Sequence, residues 1–456
     1  MIERIAGIRD LVAGRSPEGL LVGGFGALIL LGTGLLQLPW AHHGEVGFLD
    51  ALFTATSAVC VTGLIVVDTG GDFTTFGQAV ILLMIQAGGI GVMSFAAIAY
   101  QLLGRRLNLR AQAALSNAML QREAATEFRS IFRRILHFVL LAESVGAALL
   151  FAGMLPEMGA SDAACSAVFH AVSAFCNAGF SLYSDSLTAF RGNAVVMATV
   201  MALIVLGGIG HPVAIDVWQR LRPRSGKREG PLRKLALSSR VALWTSGALI
   251  MAGFVLLLAF GLTPGESFWT DRAAGALFQS ITARTAGFNT VEIGDLAPAP
   301  LFLLVLLMFI GGSPGSCAGG IKTTTFALWV AKLKSRLSGG KAPRLFGRYI
   351  PGEITRRVST IIGLSVAWNS LGILLLLATE GARPGVGMQD VVFEQISAFG
   401  TVGLSTGLTG DLSLAGRLWI IVTMFVGRLG PLTLALSMFP RKQAKIRYPE
   451  GRIMIG

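Results

Sequence analysis

The chain has 456 residues, of which 53% are hydrophobic and only 14% charged, with a mean hydropathy of +0.67. Soluble domains carry about 25% charged residues, so a soluble globular protein is excluded and a polytopic membrane protein is indicated. The formal net charge of +13 invites a nucleic-acid reading, but its distribution argues against one.

Apolar stretches long enough to cross ~30 Å of hydrocarbon begin near Gly19, Ala79, Ile135, Ala194, Val241, Pro300, Val358 and Leu418. Of the 38 Lys and Arg residues, three lie in the first fifteen residues and seven between Arg105 and Arg134. Eight more lie between Arg220 and Arg240, eight between Lys332 and Arg357, and five after Pro440. These are every second loop and both ends. The alternate loops are acid-rich, as at Asp68, Asp72, Glu157, Asp295 and Asp411. The positive-inside rule then puts both termini in the cytoplasm. Anionic membrane lipid suffices as the partner of the basic loops, and no nucleic acid is expected. The N-terminus has no apolar core followed by a small-residue cleavage site, so no removable signal peptide is expected.

In chain order, residues 1–18 read as a cytoplasmic lead-in, followed by one grammar used four times. A long apolar helix is followed by a half-span too short to cross, a Gly-bearing turn, and a second long helix. The units are 19–104, 105–222, 223–338 and 339–440, with a tail at 441–456. Their second helices are expected at about 73–103, 191–220, 299–338 and 413–439. Re-entrant backbone at membrane depth is tolerated only where it is buried in protein or lines water. The fold class expected is therefore an all-α polytopic membrane protein. It has eight transmembrane helices and four M1–pore helix–M2 repeats, arranged with pseudo-fourfold symmetry around one central pore.

The four half-spans share a motif, FTATSAVCVTGL from Phe53, FHAVSAFCNAGF from Phe169, FQSITARTAGF from Phe278 and FEQISAFGTVGL from Phe393. The Phe-to-Gly interval is ten residues in three copies and nine in the third. A cation leaving water needs replacement ligands, which rings of backbone carbonyls supply. Aiming such carbonyls at one axis needs a residue that accepts positive φ, as Gly does. Each short helix also points its partly negative C-terminal end at the cavity below. The filter residues are expected to be Val61, Thr62, Gly63 and Leu64; Asn177, Ala178, Gly179 and Phe180; Thr285, Ala286, Gly287 and Phe288; and Thr401, Val402, Gly403 and Leu404. They would hold K+ through backbone carbonyls only. Cys60 and Cys176 fall at equivalent positions and read as small pore-lining residues rather than a disulfide or metal pair.

A second repeated feature begins 25, 28, 24 and 24 residues after each filter Gly: GGIG at 88, GGIG at 207, GGSPG at 311 and GRLG at 427. In the first two units, small residues that let helices approach closely explain it. The third holds GGSPGSCAGGIK inside an apolar span. Pro removes a helix hydrogen bond, and five glycines exceed what a kink needs, so an unwound intramembrane loop is expected. In the fourth, Arg428 sits mid-span, where charge is costly and should face an aqueous path or a partner. The gate is assigned to Gly311, Gly312, Ser313, Pro314, Gly315, Ser316, Gly319, Gly320, Lys322 and Arg428. Glu143 is expected to pair with a neighbouring helix. His211 reads as structural, His170 as a pore-helix residue and His42-His43 as outer loop. No HExxH, nucleophile elbow or P-loop is present, and no titratable cluster supports an embedded enzyme.

With these residues the chain resembles the Trk/Ktr/HKT superfamily of potassium-translocating subunits, and most closely its eight-span bacterial KtrB type. The resemblance runs over about residues 19–456 and rests on several features together. These are the four Gly turns, TARTAGFN at Thr282–Asn289, the broken third-unit helix, Arg428 and the YPEGRIMIG tail. It implies a K+-selective pore in a bacterial cytoplasmic (inner) membrane, with no covalently bound cofactor and with Na+ as an activator. It also implies a homodimer seated on a cytosolic ring of RCK-type, KtrA-like subunits that bind the regulatory nucleotide, ATP/ADP or NAD, in place of this chain. The alternative within transport is a K+ symporter-type carrier coupled to Na+ or H+.

Overall fold

The structure, a computed structural model, describes residues 17–104, 117–221, 235–261, 269–340 and 342–438. Most of the expected lead-in, the basic connector at 222–234 and the tail at 441–456 lie outside the described residues. The described chain is helical apart from one small hairpin. In order the helices are α1 (Pro17–Leu36), α2 (Phe48–Cys60), α3 (Thr75–Gly104), α4 (Asn117–Met154), α5 (Ala160–Cys176), α6 (Ala194–Ile209), α7 (His211–Leu221) and α8 (Leu237–Phe260). There follow α9 (Trp269–Thr282), α10 (Pro298–Phe309), α11 (Thr323–Leu337), α12 (Gly352–Glu380), α13 (Met388–Gly400), α14 (Leu408–Asp411), α15 (Leu414–Leu429) and α16 (Pro431–Met438).

Local chemistry explains where these elements start. Helix α6 begins at Asn193, whose side chain accepts the Val196 N–H at 3.2 Å, and α15 at Ser413, whose hydroxyl accepts the Gly416 N–H at 3.1 Å; both are side-chain N-caps. Helix α10 carries Pro298 in its first turn, where the missing N–H costs nothing. The short helices α2, α5 and α13 each follow a Gly (Gly47, Gly159, Gly387) and carry an Asp in the first turn (Asp50, Asp162, Asp390), which complements the helix dipole.

The packing is cyclic. Helix α2 packs between α1 and α3, α5 between α4 and α6, α13 between α12 and α15, and α9 against α8. Each second helix then also packs on the next unit's short helix: α3 on α5, α6 on α9, α10 on α13, and α15 back on α2. At this last seam Arg417 of α15 pairs with Asp50 of α2 at 2.5 Å and donates to the Gly410 and Leu412 carbonyls. The first and last units are thereby tied across 367 residues of sequence.

Two expectations need correction. The helix expected over 191–220 is two helices, α6 and α7, bent by 100° at Gly210, where φ is 83°. The helix expected over 413–439 is likewise interrupted at Gly430, with φ 84°, before Pro431. In each case a Gly in a conformation other residues resist is followed at once, or after one residue, by Pro, which cannot donate to the preceding turn. The connector 338–351 contains a hairpin, β1 (Arg344–Leu345) with β2 (Arg348–Tyr349), and Arg240 lies 4.4 Å over the Phe346 ring at its tip. Helix segments Phe132–Met154, Leu237–Phe260 and Gly352–Glu380 are long and apolar enough to cross a membrane, and the bent pair α6–α7 has that length and apolarity only when taken together. Among the described residues, shorter apolar helical segments are Leu21–Leu36, Phe48–Cys60, Thr75–Gly91, Ala160–Cys176 and Pro298–Phe309.

Candidate functional site

Three of the short helices end in the same way. The residue after the last helical one is left-handed: Val61 at φ 57°, Asn177 at 59° and Thr401 at 48°. The next N–H reaches back five residues: Thr62 to the Ser57 carbonyl at 2.8 Å, Ala178 to Ser173 at 2.7 Å, and Val402 to Ser397 at 2.9 Å. This is a six-to-one helix termination normally built on Gly. The third copy, one residue shorter, bonds Ala286 N–H to the Thr282 carbonyl at 2.9 Å and turns left-handed at Thr285, φ 74°. Val and Thr are poorly suited to this region, and each such residue stores about 1–3 kcal/mol of strain. In every copy the filter Gly also has positive φ: 90° at Gly63, 69° at Gly179, 83° at Gly287 and 93° at Gly403.

The four turns meet. A side chain placed on Gly63 would strike the Ala178 carbonyl and Gly179; one on Gly179, the Ala286 carbonyl and Gly287. One on Gly287 would strike the Val402 carbonyl and Gly403, and one on Gly403 the Thr62 carbonyl and Gly63. The carbonyl before each Gly therefore lies against the Gly of the adjoining turn, and the cycle closes. Gly63 stands opposite Gly287, and Gly179 opposite Gly403. Leu64, Phe180, Phe288 and Leu404 are all buried behind this ring.

One set of residues escaped the sequence reading. Four residues after the shared Phe stands a hydroxyl in every copy: Ser57, Ser173, Thr282 and Ser397. Ser57 accepts the Gly63 N–H at 3.1 Å and Ser397 the Gly403 N–H at 3.2 Å. Ser173 and Thr282 instead donate to the carbonyls after the Gly, Phe180 at 2.7 Å and Phe288 at 2.6 Å. The signal was present, since the hydroxyl recurs at one register of an otherwise variable helix.

The repeated glycines of the second helices bring those helices onto the turns. A Cβ on Gly88, Gly207 or Gly427 would strike the carbonyl of Val59, Phe175 or Phe399, each in the last turn of a short helix. For Gly88 and Gly207 this is the close approach expected. Gly207 and Gly208 do more, because their carbonyls also accept the N–H groups of Cys317 at 3.3 Å and Ser313 at 2.9 Å.

Between Ile310 and Lys322 the chain is unwound, as expected, but it is not loose. Gly311 N–H bonds the Ile321 carbonyl at 2.9 Å and Thr323 N–H the Gly312 carbonyl at 3.0 Å, closing the loop at its neck. Ser316 donates to the Ser313 carbonyl at 2.6 Å, and Gly315 packs on Gly210. Gly319 packs on Thr401 and Gly320 on Gly400, directly under the fourth turn. Lys322 curls back onto the Ala318 and Gly319 carbonyls of its own loop. Arg428 is buried and bridges three units, donating to the Cys317 carbonyl and, at 2.9 Å, to the Gly88 carbonyl. A second buried cation, Arg284, was not singled out although it lies inside TARTAGFN. It donates to the Ser246 carbonyl and to the Gly311 carbonyl, both at 3.0 Å, fixing the near end of the loop to the third turn.

The remaining expectations sort simply. Glu143 accepts from Gln86 of α3 at 3.0 Å, so it does pair with a neighbouring helix, and the Cys176 thiol is close to both. His170 lies in α5 and His211 opens α7. All four cysteines are free, and only Cys165 is exposed.

The hydroxyl set yields a direct expectation. Ser57→Ala or Ser397→Ala strands a buried backbone N–H, a loss of about 1–3 kcal/mol. The thermal midpoint of the purified protein in detergent should fall for both alanine variants and be restored by Thr at the same positions. Unchanged midpoints for the alanines would show that the hydroxyls do not brace the turns.

Comparison with known proteins places this geometry. The family model described as "TrkH: Cation transport protein" matches residues 25–446. The chain is 37% identical to the Potassium/sodium uptake protein NtpJ of Enterococcus hirae, over 97% of both chains. It is also 37% identical to the Ktr system potassium uptake protein B of Bacillus subtilis, over 97% of both, and to that of Vibrio alginolyticus, over 99% of this chain and 97% of the other. The crystal structure of the potassium transporter TrkH from Vibrio parahaemolyticus superposes with a TM-score of 0.73 over 94% of this chain and 86% of that one, at 20% identity. The resemblance drawn from the Gly turns and the broken helix thus holds over the full length, and the chain belongs to the TrkH family of cation transport proteins.

Proposed function

We propose that the chain is the potassium-translocating membrane subunit of a K+ uptake system. In this reading four M1–pore helix–M2 repeats and eight spans surround one pore, with pseudo-fourfold symmetry. The observation that carries it is the closed cycle of Gly63, Gly179, Gly287 and Gly403, each left-handed and each against the carbonyl preceding the adjoining Gly. A cation on that axis would trade its water shell for backbone carbonyls held by the rest of the fold. Four glycines match the K+-favouring pattern that the family resemblance implies.

The loop 311–322 then acts as the gate. It lies under the turns, and Arg428 holds it there through the Cys317 carbonyl. A fixed cation about 4 Å from the ion path raises the barrier to K+ by roughly 4 kcal/mol at a surface-like dielectric, or about three powers of ten in rate. Opening moves the loop off the axis. The basic end of α11, with Lys334 and Arg336 in its last turn, is where a cytosolic ring would pull. Relatives named as parts of a Ktr system support such a partner. We assign the partner as an RCK-type ring that binds the nucleotide, acting on a homodimer with one pore per subunit. Na+ acts as activator, and the location is a bacterial inner membrane with both termini cytoplasmic.

Uptake of radiolabelled Rb+ into proteoliposomes tests this proposal, and its independence of an imposed Na+ or H+ gradient separates a channel-like pore from a coupled carrier. Gly63→Ser should reduce K+ over Na+ discrimination, because the new side chain meets the Ala178 carbonyl at a backbone angle suited to Gly. Wild-type selectivity at normal expression would contradict the filter assignment. Shortening the loop within 315–320, or Arg428→Ala, should raise flux by about tenfold or more and blunt its dependence on the partner. Wild-type flux and full regulation in both variants would place the constriction elsewhere.

A further inference from the structure

The residue immediately after the shared Phe differs in all four copies: Thr54, His170, Gln279 and Glu394. All four are polar and fully buried. A helix position that packs only as core would not carry four polar side chains, since each loses water on burial and must find a partner. Two of them do, and they find equivalent partners. His170 Nε2 is 3.0 Å from the hydroxyl of Ser181. The Glu394 carboxylate accepts from the hydroxyl of Ser405, from the Thr406 N–H at 3.1 Å and from the Thr409 hydroxyl at 2.5 Å. Ser181 and Ser405 each stand two residues beyond a ring Gly, Gly179 and Gly403. The corresponding residues in the other copies are Ile65 and Asn289. There the Thr54 hydroxyl and both amide atoms of Gln279 have no hydrogen-bond partner among the described residues.

The bonded copies alternate with the unbonded ones around the cycle, because Gly179 and Gly403 stand opposite each other. We propose that His170 and Glu394 are positioning residues that hold the exits of two opposed turns through Ser181 and Ser405. The lip of the ring is then two-fold in its pore-helix anchors, and these two side chains set the affinity with which a cation is captured. The third exit is held differently, through Asn289 itself: its N–H donates to the Ser186 hydroxyl at 3.2 Å and its carbonyl accepts the Leu187 N–H at 3.1 Å, with no pore-helix side chain taking part. The Nδ1 of His170 is 2.8 Å from the Ser166 carbonyl, and its ring stacks on Tyr183 at 5.2 Å. Ser405 in turn accepts the Gly407 N–H at 2.9 Å, so the Glu394 anchor extends through the whole segment after the fourth turn. This inference rests on the pore reading above. It adds that capture depends on two side chains outside the carbonyl ring.

The test is the concentration dependence of Rb+ uptake by the full chain in proteoliposomes. Glu394→Gln keeps the size of the side chain but loses one acceptor oxygen. Ser405→Ala and Ser181→Ala remove the other end with almost no change in core volume, and so decide the matter if the Glu394 variant does not fold. Each should raise KM by roughly threefold to tenfold, about the worth of one such hydrogen bond, with maximal rate nearly unchanged. The double variant Glu394→Gln with Ser405→Ala should be no worse than the more affected single one. Thr54→Val, which removes a hydroxyl that bonds nothing described, should leave KM at the wild-type value. The inference is overturned if Ser405→Ala and Ser181→Ala keep wild-type KM, if only the maximal rate falls, or if Thr54→Val shifts KM equally. Wild-type protein without saturable Rb+ uptake would instead overturn the pore reading, and this inference with it.

Discussion

Backbone that leaves a helix in a low-dielectric interior away from any aqueous cavity must find its hydrogen-bond partners within the protein, because lipid will not supply them. The rest of this structure follows from that constraint. The chain leaves helical geometry inside the fold at four turns, at Gly210, across 310–322 and at Gly430. The loop meets the requirement with carbonyls of another unit, Gly207 and Gly208, and with a neck of two backbone bonds. Where carbonyls are in surplus, buried guanidinium groups supply donors: Arg284 at Gly311, and Arg428 at Cys317 and Gly88. Since Gly207 and Gly208 belong to the second unit and Arg428 to the fourth, the third unit cannot complete its interrupted backbone alone.

The same logic explains why strain is tolerated in the ring. Val61, Thr285 and Thr401 are β-branched residues in the left-handed region, a combination that persists only when the surroundings over-determine it. Here they do at the first, second and fourth turns, through the six-to-one bonds, the hydroxyl of Ser57, Ser173 or Ser397, and a Gly of the second helix pressed onto the end of the short helix; at Thr285 the supports are the Ala286 bond to the Thr282 carbonyl, the Thr282 hydroxyl and the adjacent Gly311. Three supports on each turn leave the carbonyls no freedom to collapse inward or rotate away. In the proposed pore, this rigidity lets backbone oxygens stand in for water.

How much of this was legible in the sequence depended on whether a feature repeats. The four short helices, their glycines and the unwound third helix all announce themselves by recurrence, or by a break in recurrence. Arg428 was visible because it replaces a small residue at a repeated position. The breaks at Gly210 and Gly430 were written as Gly-His-Pro and Gly-Pro, but an apolar stretch of spanning length masks a break when hydropathy alone sets its bounds. The bracing hydroxyls recur too, yet Ser and Thr in a helix are ordinary, and only the geometry shows that they reach the turn. Arg284 could not be assigned from its motif, because its acceptors, Ser246 and Gly311, lie 38 and 27 residues away on other elements. The pairing of His170 with Ser181 and of Glu394 with Ser405 is equally silent without knowing which turns stand opposite each other.

The central claim is that four left-handed turns from one chain enclose a single cation axis. Anomalous diffraction from crystals grown with Rb+ or Tl+ tests it most directly. The account predicts ordered anomalous density on the axis between Gly63, Gly179, Gly287 and Gly403, within ligand distance of the Thr62, Ala178, Ala286 and Val402 carbonyls. Density confined to side-chain carboxylates, or an empty centre with ions bound elsewhere, would contradict it.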